Sequence, residues 1–297
     1  VLQCMNAFDV HAIFLGEADY PALLSRIAVP PDVLFVQGHI DNEKLEKSIG
    51  IVGTRHPSRY GSVQGRRIAE ELAQSGIAVI SGLATGIDTS AHEGALKGKG
   101  YTIGVLGGGH AHFFPAENRT LAKNMVASGG AVISEYPPNT SPHPLQFPVR
   151  NRIISGLSHG LLLIEAREKS GTHSTVNHAL NQGREVFALP GNVDSPGSAL
   201  PLKLLKEGAA LCTEAEDIVS FMGWEAKPPR QLSLMEESPE EENDAILQAL
   251  TAEEKTLEEL IAITGLSAGE LSMQLTLLEL NGRVERRPGR AFARVRP

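Results

Sequence analysis

The chain has 297 residues, 41% hydrophobic and 21% charged, with a net charge of −8. That length suits one large core plus a small second domain, and no run approaches the ~18 apolar residues of a membrane helix. Cys4 and Cys212 offer neither a disulfide framework nor paired metal ligands, which suits a reducing cytoplasm. The start at Val1 shows no signal-peptide pattern, and a trimmed beginning is expected.

In chain order, short apolar runs end in glycine or a polar residue at 48–53, 77–82, 102–109, 131–135, 161–165 and 185–191. Between them lie stretches of helical period, such as 65–76, 89–100 and 174–183. Buried strands alternating with helices predict an α/β fold, a parallel sheet covered on both faces. Ligands of such sheets sit beyond the carboxyl ends of the strands. Residues 225–244, "EAKPPRQLSLMEESPEEEND", read as an acidic linker. Eleven acids and three bases between 225 and 259 account for the whole net charge, while 260–297 has six arginines and three glutamates. The acidic balance is therefore local and does not exclude a polyanionic partner. The last segment reads as three helices and a hairpin turned at Pro288–Gly289, a winged-helix pattern, with Leu271, Leu275, Leu278 and Leu280 as core.

The strand ends share one chemistry. Gly53, Thr54 and Arg55 form a glycine turn with a projecting arginine, Gly82 and Gly86 repeat the turn at the next strand, and Ser170, Gly171 and Thr172 open a further helix. Amides at such turns are expected to make anion nests. Pro148 reads as the first residue of a helix whose next turn carries Arg150, Asn151 and Arg152. Two cations there oppose the helix dipole and predict an anion above them. The competing reading pairs one arginine inside the fold with Glu165 or Glu135. No P-loop or G-x-G-x-x-G fingerprint is present. His110 and His112 lack a third ligand at a defined spacing, so no metal or cofactor is expected. Asp88 and His92 fall on one helix face, Asp88 bonding the helix start and His92 packing above it.

Seven segments carry a resemblance: "IGIVGTRHPSRYG", "VISGLATGIDTSAHEGAL", "GGGHAHFFPAEN", "ISEYPP", "FPVRNRIISGLS", "LLLIEAREKSGT" and "GREVFALPGN". In that order, over about residues 19–223, the sequence resembles the DprA/Smf family of bacterial DNA-processing proteins. The resemblance implies an extended Rossmann fold that binds and protects single-stranded DNA without catalysis. It implies a homodimer through that domain and loading of the RecA recombinase onto the strand, as in natural transformation. It places the turn of Gly53, Thr54 and Arg55 on phosphates and Phe147, Arg150, Asn151 and Arg152 in the same pocket, with a base stacked on Phe147 or an arginine plane; the strand-end reading adds Gly82, Gly86, Ser170, Gly171 and Thr172 as DNA contacts. Ala116 stands where the family often has lysine, with Arg119 as a partial replacement; His173 and Leu200 also depart from its pattern.

The implied organisation is a lead-in over 1–48 packed on the core, with the family's helical N-terminal domain largely absent. A Rossmann-like DNA-binding domain follows over 49–224, then a linker over 225–243 and a winged helix over 244–297. The winged helix has an accessory or protein-contact role rather than duplex readout. The rival reading is a Rossmann-type enzyme on a nucleotide-sized ligand, such as a nucleoside monophosphate phosphoribohydrolase. It would turn on Glu165, which otherwise caps a strand and orients Arg150 or Arg152.

Overall fold

Each of the six apolar runs becomes a strand: too short for a buried helix, a run apolar on both faces satisfies its backbone in the middle of a sheet. In the computed structural model, which describes residues 5, 8–224, 246–247, 249–250, 254–280, 282–287 and 291–295, these strands are β3 (Ser48–Val52), β4 (Ala78–Ser81), β5 (Thr102–Val105), β6 (Ala131–Ser134), β7 (Gly160–Leu163) and β8 (Glu185–Ala188). All six are mutually parallel. The acidic linker lies outside the described residues. The chain divides into two compact units, Val1–Pro229 and Arg230–Pro297.

In the first unit the parallel strands belong to a nine-stranded sheet of order β1-β2-β6-β5-β4-β3-β7-β8-β9. The sequence reading omitted three of these strands: β1 (Val10–Phe14), β2 (Val33–Gly38) and β9 (Ala210–Leu211). β1 and β2 pair antiparallel, and β2 lies antiparallel to β6, so no crossover helix marks them. β9 is only two residues long. The helices are α1 (Arg59–Gln74), α2 (Ile87–Lys97), α3 (Arg119–Ala127), α4 (Gln146–Gly156), α5 (Thr172–Asn181), α6 (Ala199–Lys206) and α7 (Ala215–Phe221).

Alternate strand residues feed two cores. Ile49, Ile51, Val79, Leu162 and Phe187 pack with α1, α2 and α7. Ile80, Ile103, Ile133, Leu161 and Leu163 pack with α4, α5 and α6. Leu200 is fully buried in the second of these cores. The strand order reverses between β3 and β7, where the chain has wound outward in both directions. That reversal is the point at which open α/β sheets take their ligands.

The second unit contains β10 (Lys255–Thr256), α8 (Leu257–Thr264), α9 (Ala268–Leu280), β11 (Val284–Arg287) and β12 (Ala291–Arg294). Its three strands run in the order β10-β12-β11, with β11 and β12 antiparallel as the wing. Leu271, Leu275 and Leu278 enter a core with Leu260, Val284 and Phe292; the side chain of Leu280 lies outside the described residues. Thr256 and Glu259 form a reciprocal capping box at the start of α8.

Candidate functional site

The loops after β3, β4 and β5 meet the start of α4 at the carboxyl edge of the sheet. They enclose a pocket of about 180 Å3, lined by Arg55, Gly82, Thr85, Phe114, Phe147 and Arg150, with Glu117 at its side. Its centre is the Phe147 ring. The Arg55 guanidinium lies 5.4 Å from the ring centroid and that of Arg150 6.0 Å. Phe114 approaches at 5.9 Å with its plane tilted by 56°. Gly107 makes room for the ring, since a Cβ there would lie 2.7 Å from it. Arg55 is exposed, and among the described residues this ring is its partner and no carboxylate is.

Three amides in and beside the glycine turns have partners inside the fold. The Thr54 N–H donates to the Glu165 carbonyl at 2.7 Å, and the Ile87 N–H to the Thr54 carbonyl at 3.2 Å. The Ala84 N–H donates to Asp88 Oδ2 at 3.2 Å. The first two tie neighbouring segments together, and the third closes the β4 loop onto its own helix. Gly86, at φ +87°, is where the β4 loop crosses the β3 loop, and a Cβ there would sit 2.5 Å from the Thr54 carbonyl oxygen. The result is a braced platform from which Arg55 projects.

The start of the helix that carries Arg150 and Arg152 differs from the expected one. α4 begins at Gln146, so Pro148 is its third residue and not its first; its missing N–H still falls among the four that no helix satisfies. Arg150 lies a turn deeper, 4% exposed. Its Nη1 donates to the Gly82 carbonyl at 2.6 Å and to the Val105 carbonyl, joining the ends of β4 and β5. Asp88 flanks it across Gly82, where a Cβ would meet both the guanidinium and the carboxylate at 2.7 Å. Burial lowers the Arg150 pKa to about 10, against the pull of Asp88, so the group stays charged at neutral pH. Burial raises the Asp88 pKa, against the pull of Arg150. His92 is held down at about 3, first by burial and then by the Arg150 charge, while its Nδ1 meets the Thr102 hydroxyl at 2.8 Å.

Arg152 makes a two-pronged ion pair with Glu135, at 2.9 and 2.6 Å. The anion over that arginine is therefore a side chain of the same fold. Glu165 orients neither arginine. It accepts from the Ser58 N–H at 2.8 Å and from the Ser58 hydroxyl at 2.6 Å, at the start of α1.

Of the other expected residues, Gly53 and Thr172 come together: the Thr172 hydroxyl donates to the Gly53 carbonyl at 3.2 Å, which brings Ser170 and Gly171 beside the β3 loop. Asn151 ties α4 to α5 through Ser174 at 2.9 Å. Arg119 is exposed at the start of α3 and does not line the Arg55 pocket. Sequence reasoning missed Phe114, Thr85 and Glu117 as pocket residues. The available signal was the pair Phe113–Phe114, two large apolar side chains in a loop that leads to a polar edge. Phe114 is 52% exposed, which a folded chain tolerates readily where a ligand covers it. Among the described residues, no three His, Cys, Asp or Glu side chains gather as metal ligands, and no helix is long and apolar enough to cross a membrane.

A family model described as DNA recombination-mediator protein A matches residues 11–223, and one described as the DprA winged helix domain matches residues 225–290. The chain belongs to the DprA/Smf family. It is 43% identical over 218 residues to the DNA processing protein DprA of Bacillus subtilis, spanning 73% of each chain. It is 39% identical over 295 residues to the Smf protein of Escherichia coli, covering 96% of this chain and 78% of that one. The crystal structure of DNA processing protein A from Streptococcus pneumoniae matches with a TM-score of 0.66 at 36% identity, over 71% of this chain and 74% of that one. A structure of the Helicobacter pylori protein, described by its single-stranded DNA binding mode, matches with a TM-score of 0.64 at 27% identity, over 72% and 96%. Every motif that carries the DprA/Smf resemblance lies in the first unit, and most of them form the carboxyl edge around Arg55 and Phe147.

Proposed function

We propose that this DprA/Smf chain binds single-stranded DNA without catalysing a reaction on it, and delivers the strand to the RecA recombinase in the cytoplasm, as in natural transformation. One observation carries the reading. Arg55 is an exposed cation with no acid partner among the described residues, set on a braced loop against the Phe147 ring. A phosphate at Arg55 and a base on Phe147 would use the charge and the ring together, and neither contact reads sequence. The single-stranded DNA named for the Helicobacter pylori relative agrees with this, and the family's description as a recombination mediator supports a recombinase as the next partner. A homodimer through the first unit is supported by the outer strand β9, beside which Leu211 and Phe221 are 57% and 55% exposed. The acidic 225–243 segment then serves as the linker to the winged helix.

The test is binding of the full chain to labelled single-stranded and duplex oligonucleotides at several salt concentrations. If about six phosphates are neutralised, log K falls against log salt with a slope near −4. Arg55→Ala should lower single-strand affinity at least tenfold, about 1.4 kcal/mol, with thermal unfolding unchanged. Tighter duplex binding, salt-insensitive affinity or an unaffected Arg55→Ala variant would overturn the proposal.

A further inference from the structure

The β3 loop, residues 53–58, is a ridge with a cavity on each side. The Arg55 pocket lies toward β4 and β5. Toward β7 and β8 lies a second cavity of about 540 Å3, lined by Ser58, Tyr60, Glu165, Asn192, Ser195 and Ser198. That volume falls in the range that takes a small organic ligand. Its wall is the Tyr60 ring, 45% exposed and fixed by its hydroxyl, which donates to the Pro190 carbonyl at 2.8 Å. Its floor is Glu165, 4% exposed. Two hydrogen bonds from Ser58 leave that carboxylate with lone pairs to spare, since it has about four acceptor sites.

The charges sort what can enter. Arg55 and Arg59 are exposed on and beside the ridge, and neither has an acid within ion-pair distance among the described residues. A phosphate is drawn to the ridge and refused by the acidic floor. A nucleobase suits the cavity: its face stacks on the ring, and its amino or imide N–H meets the Glu165 carboxylate, with the Asn192 amide and Ser195 hydroxyl as adaptable partners. Arg55 and Ser58 are three residues apart, so their Cα atoms lie within about 11 Å. A stacked strand rises ~3.4 Å per nucleotide, so no more than a few nucleotides cross that span of the ridge.

We propose that the Tyr60–Glu165 cavity is a second base-binding site, holding another nucleotide of the strand bound at Phe147, with the β3 loop as the phosphate-bearing ridge between them. This rests on the single-stranded DNA reading given above.

The test scans 2-aminopurine through each position of an eight-nucleotide thymidine oligonucleotide bound to the full chain. Two separate positions should change emission. Tyr60→Ala should remove one signal, keep the other, and weaken the eight-mer about fivefold or more, while leaving dinucleotide affinity unchanged. Tyr60→Phe, which keeps the ring, should retain both signals. Ser195→Trp, which fills the cavity and leaves Tyr60 in the sequence, should act like Tyr60→Ala. If Tyr60→Ala and Ser195→Trp leave both signals and the affinity intact while Arg55→Ala abolishes them, the second site is overturned and the DNA reading stands. If the chain does not bind the oligonucleotide, or if Arg55→Ala binds as tightly as the parent, both fall.

Discussion

Replacing Arg150 by methionine removes the group that joins the ends of β4 and β5. Its Nη1 satisfies the Gly82 carbonyl at 2.6 Å and the Val105 carbonyl as well. Hydrogen bonds from a charged donor contribute roughly 1.5–3 kcal/mol each, so the two together contribute about 3–6 kcal/mol. Methionine regains part of this, because no guanidinium then has to be desolvated. Against that gain, Asp88, 7% exposed, loses its counter-charge and has to take up a proton or remain as an unpaired buried anion. Breaking such a pair from one side costs about 3–5 kcal/mol, which we take as the expected loss. In a domain of this size that is a fall in Tm of about 10 °C. The assay is urea unfolding followed by the emission of Trp224, the single tryptophan, which packs edge-on against His159 at 5.7 Å in the first unit. The first unit is thereby reported separately from the winged helix. A loss below about 1 kcal/mol would refute the reasoning. It would mean that the carbonyl contacts contribute nothing and that Arg150 is held ready for an external anion.

Two further outcomes are expected. Gly86→Ala should destabilise the first unit by more than about 1 kcal/mol, because its φ is +87° and a Cβ would strike the Thr54 carbonyl; by displacing the β3 loop it should also lower single-strand affinity, and a variant with unchanged melting and binding would show that the loop crossing is unimportant. Stability should fall as pH drops from about 6.5 toward 3, because His92 titrates near 3 in the fold and the unfolded chain binds the extra proton throughout that window. His110, His159 and His178 are shifted in the same direction by burial and add to the slope, while the raised Asp88 acts oppositely above its ordinary value. His92→Gln should reduce the slope by up to about 1.4 kcal/mol per pH unit, measured by urea unfolding at pH 5, 6 and 7, and an unchanged slope would refute the assignment.

What the sequence determined by itself was the architecture of the parallel sheet and the edge that carries the site. Strand β3, read from "SIGIVG", and strand β7, read from "LLLIE", are legible because a strand buried on both faces must be a continuous apolar run, and its turn toward a helix favours glycine. Arg55 was legible as a cation projecting from a strand-end turn, because a lone charge is costly to bury, whereas Phe147 came forward only through the family resemblance. β1 and β2 escaped because an antiparallel pair leaves no alternating helix behind it. Tertiary structure alone decided the fates of the charged groups. Arg150 and Arg152 stand two residues apart on one helix and are alike by local rules. One reaches carbonyls 68 and 45 residues away, and the other a carboxylate 17 residues away. The same holds for the Thr54 and Ile87 amides, whose acceptors, the Glu165 and Thr54 carbonyls, are brought to them only by the packing of separate loops. Local periodicity records which face of an element is buried. It does not record which distant carbonyl or carboxylate waits there, and at a buried charge that partner sets the energy.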